Sequence, residues 1–87
     1  MKIKVKFEND NGNVVHATFD RDAGTVQAED GRTGTYSRPD GSRVMELKGV
    51  ENVTLTFSDD VKMEPGFSTR YSGSDGRKGK VTILAVG

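Results

Sequence analysis

Apolar and polar residues alternate with a period of two in one short segment after another, and Gly, Asn and Asp cluster between the segments. The clearest segment is residues 53–57, where Val53, Leu55 and Phe57 fall on one side and Thr54 and Thr56 on the other, as in a strand with one buried face. Residues 2–8 alternate as cleanly, with Ile3, Val5 and Phe7 inward and Lys2, Lys4, Lys6 and Glu8 outward. The run Asn9-Asp10-Asn11-Gly12-Asn13 supplies residues that tolerate positive φ, and Val15, Ala17 and Phe19 then line one face of residues 14–20. These two strands are expected to pair.

Asp20-Arg21-Asp22-Ala23-Gly24 reads as a type I turn closed by a left-handed glycine, and residues 25–29 as a short strand with Val26 and Ala28 inward. Residues 32–37 hold one large apolar side chain, Tyr36, and are interrupted by Gly34, so an edge strand or a bulge is expected there. Arg38-Pro39-Asp40-Gly41-Ser42 has the residue order of a turn, with proline setting φ early and glycine accepting positive φ later. Residues 43–48 fit a strand with Met45 and Leu47 opposed to Val44 and Glu46, and also a short helix; a helix of one or two turns is marginal, which favours the strand. Residues 58–64 fit either a single helical turn stopped by Pro65 or an irregular connection.

Phe67, Thr69 and Tyr71 share one face of residues 67–72, and in residues 80–86 Val81, Ile83 and Ala85 alternate against Thr82, Leu84 and Val86. Apolar on both faces, this last strand is expected well inside the sheet. Seven or eight short strands with regular turn signals predict an all-β domain over residues 1–87, a small antiparallel meander forming a barrel or a sandwich. The first and last strands are placed to meet and close it.

A chain of 87 residues has room for one small core. Hydrophobic residues make up 32% and mean hydropathy is -0.63, a thin supply, yet 13 basic residues balance 13 acidic ones and disorder requires high net charge as well. A folded domain with polar loops is expected. The absence of cysteine excludes a disulfide framework and a thiolate metal site. Residues 2–7 alternate charged with apolar side chains instead of forming the h-region of a signal peptide, and no apolar run approaches a membrane span. A cytoplasmic location without membrane contact is the expectation.

Candidate chemistry is sparse. The loop Gly73-Ser74-Asp75-Gly76-Arg77-Lys78-Gly79-Lys80 offers glycine N–H groups and cations to a phosphate, but a P-loop would need glycine in place of Ser74, a hydroxyl residue in place of Val81 and a following helix. A hairpin loop is the better reading. His16 is the sole histidine and sits on the polar side of its strand, without a triad or metal-ligand signature. The carboxylate pairs Asp20/Asp22 and Asp59/Asp60 lie in turns, where aspartate is expected for conformational reasons, and the EF-hand ligand order is missing. Asn52-Val53-Thr54 matches the glycosylation sequon only by chance if no export signal precedes it. No catalytic residue, metal or cofactor is expected.

Charge becomes informative when the chain is cut into pieces. Residues 1–7 carry three positive charges, residues 8–31 one positive and six negative, and residues 65–87 four positive and one negative. If the end strands pair, Lys2, Lys4, Lys6, Arg77, Lys78 and Lys80 share a surface beside Phe67 and Tyr71, the footprint of a single-stranded nucleic-acid binder. A solvated lysine face that blunts an edge strand accounts for the same residues.

The segment Gly66-Phe67-Ser68-Thr69-Arg70-Tyr71-Ser72 resembles the Ser-Gly-x-Arg-Tyr signature of periplasmic c-type lysozyme inhibitors, which are also small β-barrels. The cysteines, Phe-Trp pair and export signal of that family are absent, so the likeness stays within this segment and Lys78-Gly79 and assigns no membership.

The reading that remains is a stand-alone, non-enzymatic module that binds another protein, in the manner of an inhibitor that occludes a surface of a larger machine, such as a phage or mobile-element anti-defence protein. A monomer or small homo-oligomer is expected. Exposed aromatics and arginines dominate binding hot spots, which nominates Tyr36, Arg38, Phe67, Arg70 and Tyr71, with Arg77 and Lys78 from the basic loop. Tyr36 and Tyr71 equally suit core positions with their hydroxyls at the rim. The alternative function is single-strand nucleic-acid binding on the basic end strands.

Overall fold

The structure, a computed structural model, describes residues 1–38 and 43–87. Its strands follow one another in chain order: β1 (Lys2–Asn9), β2 (Val14–Asp20), β3 (Thr25–Ala28), β4 (Thr33–Ser37), β5 (Val44–Lys48), β6 (Val53–Phe57), β7 (Ser68–Gly73) and β8 (Lys78–Val86). Each pairs antiparallel with the next, and β8 returns to β1 to close a barrel. The chain is all-β, and the meander closes into a barrel instead of folding into a sandwich.

The alternation read from the sequence carries the burial. Ile3 and Val5 on β1, Ala17 and Phe19 on β2, Met45 and Leu47 on β5, and Leu55 and Phe57 on β6 all point into the lumen. Closure leaves no strand without two neighbours, so the edge expected at residues 32–37 does not exist: β4 pairs with β3 on one side and β5 on the other. Its poverty in apolar residues has another cause. The backbone at Lys48 and Val50 passes so close to Gly34 that no side chain fits there.

The final strand also departs from expectation. Lys4 faces Ala85 while Val5 faces Ile83, so Leu84 is the extra residue of a β-bulge. Beyond it the inward alternation breaks: Ala85 turns outward and Leu84 is 44% exposed. The strand does lie inside the sheet, paired with β7 and β1, but past the bulge its apolar residues Leu84 and Ala85 face outward. Val81 and Ile83, before the bulge, fill the lumen as expected.

Residues 58–67 form no helix. They run as an irregular connection held by Ser58 N–H to the Arg70 carbonyl and Gly66 N–H to the Ile83 carbonyl. From it Val61, Met63 and Phe67 pack back onto the core. A single helical turn would gain little by itself, whereas this path covers apolar surface. The proline turn expected at residues 38–42 lies, apart from Arg38, outside the described residues.

Candidate functional site

The barrel has two unlike ends. One carries both termini, the β2–β3 turn, the end of β4, the start of β5 and the β6–β7 connection; the other carries the four hairpin turns β1–β2, β3–β4, β5–β6 and β7–β8. Phe7 and Phe19 line a cavity on each side of them and so divide the lumen into two chambers. Around this partition the rings meet edge to face: Phe7 lies 5.5 Å from Tyr71 and Phe19 lies 5.0 Å from Tyr36, the geometry aromatic quadrupoles favour.

The chamber toward the hairpin turns has a volume of about 60 Å³ and is bordered by a paired polar network. Tyr71 is buried, and its hydroxyl donates to Asn9 Oδ1. Arg77 bridges Glu51 and Asp75, donating to Asp75 Oδ2 at 2.6 Å. Arg32 donates to Asp30 Oδ2 at 2.7 Å and to the Val50 carbonyl at 3.2 Å, and reaches Glu51 Oε1 at 3.6 Å. Hydrogen bonds to Asp75 and then to Glu51 raise the Arg77 pKa, while burial raises that of Tyr71. Arg32, Arg77, Asp30, Glu51 and Asp75 thus answer one another in a network of ion pairs around this chamber.

The chamber toward the termini is larger, about 100 Å³, and is lined by aliphatic and aromatic side chains including Ile3, Val5, Phe57 and Ile83. At its mouth Val61, Met63 and Phe67 come from the β6–β7 connection, Arg21 from the β2–β3 turn, and Tyr36 and Arg38 from the end of β4. Burial lowers the Arg38 pKa, and the like charge of Arg21 lowers it further. Burial raises the pKa of Tyr36. The only charged side chains among the described residues lining this chamber are those two arginines.

The nominated residues therefore separate into three places. Tyr36, Arg38 and Phe67 meet at one mouth. Tyr71 and Arg77 belong to the ion-paired end opposite, where Tyr71 is buried and offers no base-stacking ring and Arg77 is half-buried and held by Glu51 and Asp75. Arg70 stands on the outer wall, donating to both carboxylate oxygens of Asp10 at 2.9 and 2.7 Å, and Lys78 is exposed at the start of β8. The first and last strands pair as expected, with Glu8 opposite Lys80 and Lys6 opposite Thr82. Their lysines share an outer face, but Arg77 leaves it to pair with Glu51 and Asp75.

Arg21, Val61 and Met63 escaped sequence reasoning. Arg21 lies in a turn that looked purely conformational, and Val61 and Met63 in a segment whose path no periodicity encodes; only closure of the barrel puts them around one opening. His16 does meet a carboxylate, with Nδ1 3.3 Å from Glu29 Oε2, but the pair is half-exposed on the outer wall. No group of three metal-ligating side chains occurs, and no helix is long and apolar enough to cross a membrane, among the described residues. Comparison with family models, with curated proteins and with solved structures finds no match to this chain.

Several surface carboxylates titrate low. A side-chain hydrogen bond from Arg70 lowers the Asp10 pKa, a backbone hydrogen bond from Arg32 lowers that of Asp30, and a side-chain hydrogen bond from Arg77 lowers that of Asp75. A carboxylate whose folded pKa is depressed stabilises the fold above its unfolded pKa and loses that contribution as pH falls through the folded value. Urea midpoints measured by circular dichroism should hold steady through neutral pH and fall once pH drops below about 4. A midpoint that rises on acidification contradicts this assignment.

Proposed function

We propose that the protein is a non-enzymatic binding module that docks on a larger protein in the cytoplasm and occludes a surface of it, using the barrel end around Tyr36, Arg38 and Phe67. One observation carries this reading: three residues nominated as contacts from sequence converge, with Arg21, Val61 and Met63, on one apolar depression. Aromatic and arginine side chains around a desolvated pocket are the usual composition of a binding hot spot. A chamber of about 100 Å³ is far below the roughly 300–1,000 Å³ of drug-sized ligand sites, which favours a protein side chain as its visitor.

The alternative, single-stranded nucleic acid on the lysines of β1 and β8, gains from the pairing of those strands. It lacks ring platforms: Phe7, Phe19, Phe57, Phe67, Tyr36 and Tyr71 all pack into or against the core. Base stacking supplies much of the affinity of such binders, so the protein-docking reading is the stronger.

The test is affinity capture from a native lysate of the source with tagged wild-type protein, an Arg38→Glu/Phe67→Ser variant and an Arg70→Ala variant. Wild type and Arg70→Ala should retain one stoichiometric partner, and the double variant should lose it by at least about tenfold while melting as a folded protein. Equal recovery with all three proteins removes the reading.

A further inference from the structure

Positive charge on the outer wall is gathered on one side of the barrel. β1 and β8 together carry Lys2, Lys4, Lys6, Lys78 and Lys80 against a single acid, Glu8. On the far side, β4, β5 and β6 carry only Glu46 and Lys48. Among the described residues Lys2, Lys4 and Lys80 enter no ion pair, and Lys6 reaches Glu8 Oε1 at 3.4 Å. Nearby carboxylates are engaged elsewhere: Asp20, across from Lys2, accepts from the Asp22 and Ala23 N–H groups of its own turn, and Asp10 is held by Arg70.

Edge protection does not account for these lysines. Lysine commonly blunts an exposed sheet edge, but β1 and β8 pair with each other and the closed barrel has no edge. Nor do they give the chain a solubilising net charge, which is zero.

The wall suits a row of phosphates. Lys2, Lys4 and Lys6 stand at every second residue of β1, about 7 Å apart, close to the spacing of neighbouring phosphates along one nucleic-acid strand. Register places Thr18 across from Lys4 and Thr82 across from Lys6, and such hydroxyls donate to phosphate oxygens. Lysine is a compact point charge that suits phosphate, whereas a carboxylate is matched by the planar fork of arginine, and Arg70 on this wall is already taken by Asp10. A single strand would need rings on which to stack its bases, and the aromatic side chains pack into or against the core. A duplex, with its bases already stacked and its phosphates outward, needs none. A membrane would be met by contiguous apolar side chains, but the exposed Val14 stands across from Glu8 and the exposed Leu84 beside Lys4 at the other end of the wall.

We propose that the wall formed by β8, β1 and β2 binds duplex nucleic acid through its phosphate backbone, without regard to base sequence, with Lys2, Lys4, Lys6 and Lys80 as the contacts. This surface shares no residue with the mouth around Tyr36 and Phe67, and its binding does not depend on the docking assigned to that mouth.

The experiment follows the fluorescence anisotropy of a short labelled DNA duplex of mixed sequence as the full-length protein is added, with the matching single strand, polyglutamate and phosphatidylserine vesicles as competitors. In about 0.1 M salt the duplex should bind with a Kd of about 1–100 μM, and log K should fall with log salt at a slope of roughly −3 to −4, as for four neutralised phosphates. A duplex of unrelated sequence should bind alike. Lys4→Glu and Lys80→Glu should each weaken binding at least about fivefold and lower the slope by about 1. Lys48→Glu makes the same charge change across a barrel 26 Å wide, where the Debye length is about 10 Å, and should bind as wild type. Should a charge reversal lower the melting midpoint, Lys4→Gln and Lys80→Gln repeat the comparison in folded protein. Absence of binding, a slope near zero, an equal loss with Lys48→Glu, or tighter binding of the single strand, polyglutamate or vesicles than of the duplex overturns the proposal.

Discussion

Replacing Gly34 by valine is expected to destabilise the barrel by about 3 kcal/mol or more, a large part of the roughly 5–15 kcal/mol that holds a small domain together. A Cβ at position 34 would lie 2.1 Å from the Lys48 carbonyl oxygen and 2.4 Å from the Val50 amide nitrogen, both main-chain atoms that cannot rotate away. The only relief is for β4 and β5 to move apart. In an open sheet such a shift costs one pair of strands at an edge; in a closed barrel it opens the wall and wets Met45, Leu47 and Val50 on the strand and turn behind it. Thermal melting followed by circular dichroism should show a midpoint lowered by about 12 °C or more, or no folded protein at all. A midpoint within a few degrees of wild type would mean that the backbone crossing at Gly34 is looser than described.

Leu55→Ala should have an effect of similar size by a different route. Leu55 is 2% exposed, lies at the middle of β6 and lines the smaller chamber beside Phe7 and Tyr71. Truncation removes its transfer free energy and enlarges a chamber that already holds about 60 Å³, and closed walls cannot collapse to refill it. The expected cost is roughly 2–5 kcal/mol, read as a shift in the urea midpoint at unchanged slope. Leu84→Ala is the control. Leu84 is 44% exposed on the bulge, so its loss should stay within about 0.5 kcal/mol. Equal effects at the two positions would show that Leu55 does not stand inside the barrel.

Much of the fold was legible because the information is local. A period-two pattern of side chains sorts two faces of a strand without reference to any other strand, so Ile3, Val5, Ala17, Phe19, Leu55, Phe57, Val81 and Ile83 could all be assigned to an interior. The ambiguous residues 43–48 also resolved by local argument, with β5 burying Met45 and Leu47. Gly34 misled for a physical reason: a glycine in a strand marks either weak pairing or a close backbone approach, and only the position of Lys48 tells which. The bulge at Leu84 was invisible because register between β1 and β8 depends on residues about 80 positions apart.

The candidate site was less legible than the fold. Tyr36, Arg38 and Phe67 were named for their chemistry, but their shared opening follows from which strand ends lie together, and that depends on closure. The same closure sent Tyr71 and Arg77, chosen by the same criterion, to the opposite end and into a paired network. Arg21 gained a role only by position.

The sequence by itself determined that this chain is all-β, where most strands run and which face of each is apolar, because alternation acts between neighbouring residues. Only the tertiary structure decided that the sheet closes on itself, that two phenylalanines divide its interior, and that one end carries a network of ion pairs while the other has arginines lining an apolar chamber. Such groupings arise from pairings between residues far apart in the chain, whose free energy exists only once the strands have met.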